Sequence, residues 1–290
     1  MQEAVMKKTN FFEGWYFKEQ CKELTIAFIP EVSYDEKGNL SGSLQIVLPD
    51  RSYYYTYKNP INMNLNRTMF IVMDKNVFTD ACIHIDIAEK DLQIKGDIYF
   101  DREAGRKFNV MGPLSIFPLP CKHGILAMKQ QLSGSLEIDG EVYDFDGGTG
   151  YLETDYGKSF PRRYMWSQCN WFGRTDCQIA VAAATIPMGP LNIMGTFACI
   201  NYKGQRYKFA TYKGAEVEKI GEEGFKITQG PYIFEGRRKG GMAVELKSPE
   251  MGKMASATRE YLVCNVEYRL RKRGEELFHV KSRNGSYEFL

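Results

Sequence analysis

The sequence contains no apolar run long enough to cross a membrane as a helix, which needs about 20 residues. Residues 1–10 carry charges and lack the apolar stretch of a secretory signal. The 290 residues include seven cysteines without a CxxC motif and three scattered histidines, a weak basis for a metal site. A formal net charge of +2 gives no electrostatic reason to expect a nucleic-acid partner. We therefore expect a cytoplasmic protein with free thiols, no metal and no bound nucleic acid.

Two common catalytic motifs are also missing. Gly147, Gly148 and Gly150 form a glycine-rich stretch, but no GK[ST] follows and no amphipathic helix begins there, which excludes a phosphate loop. No GxSxG motif is present, so nothing indicates a nucleophilic triad. His123 follows Cys121 by two residues, yet a Cys-x-His pair alone is a weak metal signal.

Strict alternation of apolar and polar residues is the dominant pattern. It is clearest over residues 83–87 and 262–270, and turn residues such as those at 139–140 and 203–204 separate similar runs. Aromatic residues make up 13% of the chain, which also favours strands, because flat rings pack well on pleated surfaces. The sequence predicts an all-β protein with very little helix. The best helix candidate, residues 121–131, we interpret as a short cap or a loop.

A glycine-rich break at residues 144–157 divides the chain. On either side a similar opening recurs, with Trp15 and Trp166 each placed early in a predicted strand that hairpin-rich sequence follows. We predict two consecutive antiparallel β-barrels packed together, formed by residues 1–148 and 149–290. The alternative is one large sheet system, since a single β domain can reach this length.

The segment 150–172, GYLETDYGKSFPRRYMWSQCNWF, carries the strongest functional signal. Alternation places Tyr164, Trp166, Gln168 and Asn170 on one face of a strand. Two aromatic rings followed by two neutral amides fit the inside of a barrel that binds a mainly apolar ligand with one polar end. The alternative is a buried amide pair that bonds to nearby backbone.

Two carboxyl groups precede that strand. Glu153 and Asp155 are two residues apart and share a face if the chain is extended. Because Lys158, Arg162 and Arg163 are close in sequence, one interpretation is a salt-bridged corner. The other places one carboxyl in an apolar pocket, where desolvation raises its pKa and keeps it protonated as an acid.

This segment resembles the signature of the tocopherol cyclase family, a GY-x-E-[KT]-[DN]-[WY]-G-x-[SG]-FP stretch followed by an aromatic-rich W-x-Q-x-N strand. Further stretches match the family in order: FFEGWYFK at 11–18, GPLS at 112–115, LSGSL at 132–136 and FDGGTGY at 145–151. Two positions depart from it, with Tyr156 where Trp is common and Gln130 where we expect His. The resemblance implies two lipocalin-like β-barrels, related in architecture to carotenoid hydratase-like proteins.

The resemblance also implies an enzyme of the intramolecular lyase or isomerase class that needs no cofactor. The alkene of a prenylated hydroquinone is protonated, and the phenol oxygen captures the tertiary cation to close a ring. Such a reaction needs a buried acid, a dry aromatic wall and neutral groups that orient the phenol. Transient contact with a membrane surface would collect the substrate. The alternatives are a non-catalytic binding protein for a prenyl lipid or another hydrophobic small molecule, and an isoprenoid hydratase.

The same resemblance suggests a role for each candidate residue. Asp155 is the first choice for the acid and Glu153 the second. The residues expected to bind the substrate are Trp15, Tyr156 and Trp166 in the aromatic wall, Gln168 and Asn170 at the polar head, and Glu13, which is also a further acid candidate.

Overall fold

A computed structural model describes residues 8–65, 68–101, 110–188 and 191–290. The expectation about residues 1–10 therefore falls largely outside the described residues, since 1–7 are not among them. In the described part, the helical elements are two short 3-10 helices, Gly112–Ile116 and Thr211–Lys213, and no helix there is long and apolar enough to span a membrane. The predicted all-β fold class is confirmed.

The described strands form two antiparallel sheets. The first sheet contains β1 (Phe11–Gln20), β2 (Thr25–Tyr34), β3 (Leu40–Val47), β4 (Ser52–Tyr57), β5 (Ile61–Leu65), β6 (Thr68–Met73), β7 (Asn76–Thr79), β8 (Cys82–Ala88), β9 (Gln93–Phe100), β10 (Cys121–Ile138), β11 (Glu141–Asp144) and β12 (Thr149–Gly157). The second contains β13 (Tyr164–Cys169), β14 (Cys177–Met188), β15 (Leu191–Tyr202), β16 (Gln205–Ala210), β17 (Ala215–Gly221), β18 (Gly224–Gln229), β19 (Tyr232–Lys239), β20 (Val244–Glu250), β21 (Lys253–Lys272) and β22 (Glu275–Phe289).

Each sheet curls around its own hydrophobic cluster. The order of the first sheet is β4-β3-β2-β1-β12-β10-β9-β8-β7-β6-β5, with β11 beside β10. The order of the second is β16-β15-β14-β13-β22-β21-β19-β18-β17, with β20 beside β21. Phe17, Phe28 and Phe78 lie in the cluster inside the first sheet, and Phe234 and Tyr268 in the one inside the second. The double-barrel architecture predicted from the sequence is therefore confirmed.

Strand β12 belongs to the first sheet, where it pairs with β1 on one side and β10 on the other. The chain therefore passes from the first sheet to the second between Gly157 and Tyr164. The division of the chain into two domains at residue 148 stays a prediction.

Residues 121–131 form the first part of β10, so their interpretation as a short cap or a loop is wrong. The pairing of β10 with β12 shifts register between Ile125 and Ala127, and again between Ala127 and Gln130. Such bulges put extra residues into a strand and interrupt its alternation. This interruption explains why the segment did not show the usual strand pattern.

The seven cysteines are all free, as the sequence predicts. Those that are buried are Cys21, Cys169, Cys177, Cys199 and Cys264. The cellular compartment stays a prediction.

The outer faces of the two sheets pack against each other through a third hydrophobic cluster. Tyr16, Ile125 and Tyr151 contribute from the first sheet, and Trp166 and Phe197 from the second. Alternation explains this arrangement, because strands such as β1, β12 and β13 bury one face inside their own barrel and the other between the barrels. The candidate active site lies at this junction.

A side-chain amide also joins the two sheets. Gln45 of β3 donates to the Lys247 carbonyl at 3.0 Å and accepts from the Lys247 backbone N–H at 2.7 Å. We expect Gln45→Leu to lower the free energy of unfolding by about 1.5 kcal/mol, because both backbone groups lose their partner. Gln178→Leu is the matched control, since the buried Gln178 amide donates to Asp176, two residues away on the same side of the junction in the chain. Urea denaturation would contradict the prediction if both variants lost equal stability.

Candidate active site

A cavity of about 180 Å³ lies between the two sheets. Its aromatic lining includes Phe12, Tyr16, Phe160, Tyr164, Trp166 and Phe197. The expectation that the Trp166 face points into a barrel is wrong. Met165 and Cys169, on the other face of β13, fill the second barrel, while Trp166 packs in the cluster between the sheets. The apolar pocket therefore lies between the barrels.

The centre of this cavity is a histidine held between two carboxyl groups. Strands β10 and β12 place His123 directly opposite Asp155. His123 Nδ1 lies 3.0 Å from Asp155 Oδ1 at hydrogen-bond geometry. His123 Nε2 lies 3.2 Å from Glu153 Oε2, a charge contact that lacks hydrogen-bond geometry. The carboxyls thus pair with a histidine on the neighbouring strand.

The Glu153 carboxyl is buried and accepts two hydrogen bonds. The Tyr151 hydroxyl donates to Glu153 Oε2 at 2.5 Å, and Trp166 Nε1–H donates to the same oxygen at 3.1 Å. These two hydrogen bonds hold the Glu153 carboxyl in place beside the imidazole.

The environment of His123 favours its protonated form. Burial works to lower the pKa of the imidazole, but the charges of Asp155 and Glu153 and the hydrogen bond to Asp155 raise it well above its usual value. The ring also stacks on Phe197, with centroids 4.9 Å apart and an interplanar angle of 29°. An aromatic face so placed favours a cation. The site therefore favours a proton at His123, next to an apolar space.

A second polar cluster faces the same junction. Tyr16 donates to Glu260, and the Tyr164 hydroxyl donates to Glu288 Oε2 at 2.5 Å and contacts Thr258 at 2.7 Å. Burial raises the pKa of Glu260 to about 7 and that of Glu288 well above its usual value. Of these two carboxyls, Glu288 lines the cavity.

The structure brings three of the predicted site residues together. Asp155, Glu153 and Trp166 all line the cavity. Trp15 touches the cavity wall but packs in the core of the first barrel. Among the described ion pairs, Glu153 and Asp155 have none with Lys158, Arg162 or Arg163, so the salt-bridged corner does not form there.

The other predicted residues lie outside the cavity lining. Asn170 Nδ2 donates to the carbonyls of Met128 and Gly150, and Gln168 Oε1 accepts from buried Lys18 at 3.0 Å. Asn170 therefore fits the alternative interpretation, an amide that bonds to nearby backbone, whereas Gln168 bonds to a lysine side chain. Tyr156 alternates with Asp155 on β12 and faces away from it, and Glu13 contacts Lys8 and Asn62 at a half-exposed position. None of these four side chains lines the cavity.

Sequence reasoning missed several groups of the site, above all His123. Alternation along β12 puts Tyr151 on the face of Glu153 and Asp155, so Tyr151 could have been found. His123 lies 32 positions from Asp155, and nothing in the sequence shows that their strands pair. Glu260 and Glu288 come from β21 and β22 and were equally hidden.

The same three side chains are a candidate metal set within the described part of the chain. One ligand atom each from His123, Glu153 and Asp155 lie within 4.8 Å of one another. However, His123 Nδ1 already bonds to Asp155, and Glu153 Oε2 accepts from Tyr151 and Trp166. A metal ion would have to displace these contacts and the imidazole proton. The donor set therefore fits a proton better than a metal ion.

Comparison with known proteins shows the family of the chain. A family model described as "Tocopherol cyclase-like" matches residues 83–289, which is more than half of the chain. The chain belongs to the tocopherol cyclase-like family. The match extends well beyond residue 172, into the hairpin-rich part of this tocopherol cyclase-like chain where the sequence alone shows no sharp motif.

Individual relatives share part of the sequence or the whole fold. The chloroplastic tocopherol cyclase of Zea mays is 31% identical over 121 residues, which cover 40% of this chain and 26% of the relative. The chain thus spans about a quarter of that relative's length. The crystal structure of CghA has a TM-score of 0.60 at 10% identity, and that of kievitone hydratase from Nectria haematococca 0.51 at 11%. Each alignment covers 97% of this chain and 88% of the other. At such identities the likeness shows the fold alone.

Proposed function

We propose that this protein is an enzyme that protonates the alkene of a prenylated hydroquinone and closes a ring, without a cofactor. The observation that carries the proposal is the position of His123, held between Asp155 and Glu153 at the wall of an apolar, aromatic cavity. Membership of the tocopherol cyclase-like family and the name of the maize relative support it. A cytoplasmic location and transient contact with a membrane surface belong to the same proposal.

Asp155 is the proton donor in this mechanism. Glu153 already accepts hydrogen bonds from Tyr151 and Trp166, whereas the hydrogen-bond donors to Asp155 Oδ1 are His123 and the weakly donating Cys121 thiol. The side chain of Asp155 is also more accessible, at 23% exposure against 6% for Glu153. His123 can pass its proton to Asp155 along their hydrogen bond. Glu153 keeps the imidazole charged and oriented.

The reaction conserves every atom of the substrate. Asp155 gives its proton to the less substituted alkene carbon, and a tertiary cation forms at the other. The phenol oxygen bonds to that cation and loses its own proton, which returns to the Asp155–His123 pair. The faces of Trp166 and Phe197 border the cavity and stabilise the cation by cation–π attraction. The low polarity around them excludes water that would otherwise capture it.

Two other functions use the same cavity. If water captures the cation, the protein is an isoprenoid hydratase, and one structure with this fold is of a kievitone hydratase. If no proton is transferred, the cavity only carries a prenyl lipid or another hydrophobic small molecule. Cyclisation gives an isomer of the substrate, hydration gives a product heavier by one water molecule, and binding alone gives no product.

Incubation of the purified protein with a prenylated hydroquinone in deuterium oxide separates these functions. Cyclisation is expected to give an isomer of the substrate with one deuterium bound to carbon, because the enzyme's acid exchanges with the solvent. Hydration would give a product heavier by one water molecule. Mass spectrometry that finds bound but unchanged hydroquinone would exclude catalysis on this substrate and leave a binding protein.

A further inference from the structure

A single row of residues across the first sheet forms one wall of the cavity. The strand registers place Glu31 of β2 opposite Gly14 of β1, Gly14 opposite Asp155 of β12, and Asp155 opposite His123 of β10. All four residues line the cavity. Neighbouring strands lie about 4.8 Å apart, so the Cα atoms of Glu31 and Asp155 are separated by about 10 Å. Two carboxyl groups thus flank one glycine.

The Glu31 side chain lies over Gly14. A Cβ atom at position 14 would lie 3.7 Å from Glu31 Cγ and 3.8 Å from Glu31 Oε2. Glu31 and Asp155 therefore line the cavity from the same wall, with only the glycine between their strands.

The Glu31 carboxyl has no protein partner to explain its burial. The residue is only 4% exposed, and its Oε1 is buried without a hydrogen bond. Among the described residues, the carboxyl forms neither an ion pair nor a hydrogen bond. A buried polar group without a partner is rare in native proteins and needs a reason, such as a ligand that completes it.

We propose that Glu31 is a substrate-binding residue, which as a neutral carboxylic acid donates a hydrogen bond to a ligand oxygen on the far side of the ring from the alkene. This inference rests on the proposed function, because Asp155 defines the reacting end. It assigns the substrate to compounds whose ring carries a second hydroxyl or carbonyl oxygen besides the oxygen that closes the ring. A prenylated monophenol lacks this second oxygen and leaves Glu31 unpaired.

The protonation state of Glu31 supports this role. Burial raises the pKa of the carboxyl to about 8, so at pH 7 it is mostly neutral and can donate. The titratable groups that face Glu31 are Tyr54 of β4 and, across Gly14, Asp155 of β12. The exposed Lys247 of β20 lines the same cavity. Opposite Glu31 on β3 stands the uncharged Ser43.

Two probes with saturated chains test the inference without turnover. These are 2-isopentyl-4-methoxyphenol and 2-isopentylphenol, which differ by a far ether oxygen that can only accept a hydrogen bond, and which have no alkene to protonate. Their dissociation constants are to be measured anaerobically from pH 6 to pH 9.5 by titration calorimetry. We expect the wild type to bind the methoxyphenol about tenfold more tightly than the phenol at pH 7, a preference that declines above pH 8 as Glu31 ionises and can no longer donate.

Two variants at the same position provide the controls, with circular dichroism to show that each is folded. Glu31→Met is expected to lose the preference at every pH. Glu31→Gln keeps an N–H donor and is expected to retain the preference without its decline above pH 8. Equal preference in wild type and Glu31→Met, or the same decline in Glu31→Gln, would overturn the inference. Neither probe can react. Absence of cyclisation in the deuterium experiment would therefore contradict the proposed function, but it would not change this binding result.

Discussion

Asp155→Asn is expected to lower kcat for a prenylated hydroquinone by about 10²–10⁴-fold, the usual contribution of a general acid. The amide has the shape of the carboxyl and can still accept a hydrogen bond from His123 Nδ1, which lies 3.0 Å from Asp155 Oδ1 in the wild type. It cannot give up an acidic proton, so protonation of the alkene fails while the substrate still binds. Steady-state kinetics with a separate binding measurement would show a fall in kcat with little change in affinity.

Two controls separate the acid from a structural role. Glu153→Gln is expected to reduce kcat less and to move the pH profile of kcat to lower pH, because His123 loses one of the two charges that raise its pKa. Asp97→Asn makes the same change at a similar contact outside the cavity lining, where His84 Nδ1 lies 2.8 Å from Asp97 Oδ1, and should leave kcat unchanged. Equal turnover in Asp155→Asn and Glu153→Gln would contradict the assignment of Asp155 as the donor.

His123→Leu is expected to lower the free energy of unfolding by about 3 kcal/mol near pH 6. The substitution removes the positive charge between two carboxyls, and Glu153 is then left buried at 5% exposure without its counter-charge. The remaining donors, Tyr151 and Trp166, offset only part of the cost. Urea denaturation of both proteins measures the difference.

This stability effect depends on pH in a definite direction. The pKa of His123 is higher in the folded protein than in the unfolded chain, where it is about 6.5. The stabilisation is therefore fully present below pH 6.5 and is lost as the pH rises through the raised pKa. The gap between wild type and His123→Leu should narrow at pH 10.

A second histidine provides the control for stability. His84 forms a similar contact with Asp97, but its side chain is 43% exposed. Because exposed ion pairs contribute little, His84→Leu should cost less than about 1 kcal/mol. A loss as small in His123→Leu, or one that is the same at pH 6 and pH 10, would contradict a charged His123.

Some features of the site could be predicted because they lie close together in the chain. Glu153 and Asp155 share a face of β12 through simple alternation, and Trp166 follows on β13, so one short segment shows all three. The amides of Gln168 and Asn170 share the face of Trp166, yet they bond to buried lysine and backbone groups. Alternation shows which side chains share a face, but it does not reveal what packs against that face.

The sequence by itself determined the all-β class, the two barrels and the family motifs of residues 150–172, because these depend on local periodicity, turn residues and short-range order. Only the tertiary structure decided that His123 pairs with Asp155, that Glu31 faces Asp155 across Gly14, and that the cavity lies between the barrels. Strand register and sheet packing join residues far apart in the chain, and bulges in β10 hide even the local pattern around His123. Asp155 stands out within segment 150–172, but His123 and Glu31, which line the same cavity, come from distant parts of the chain.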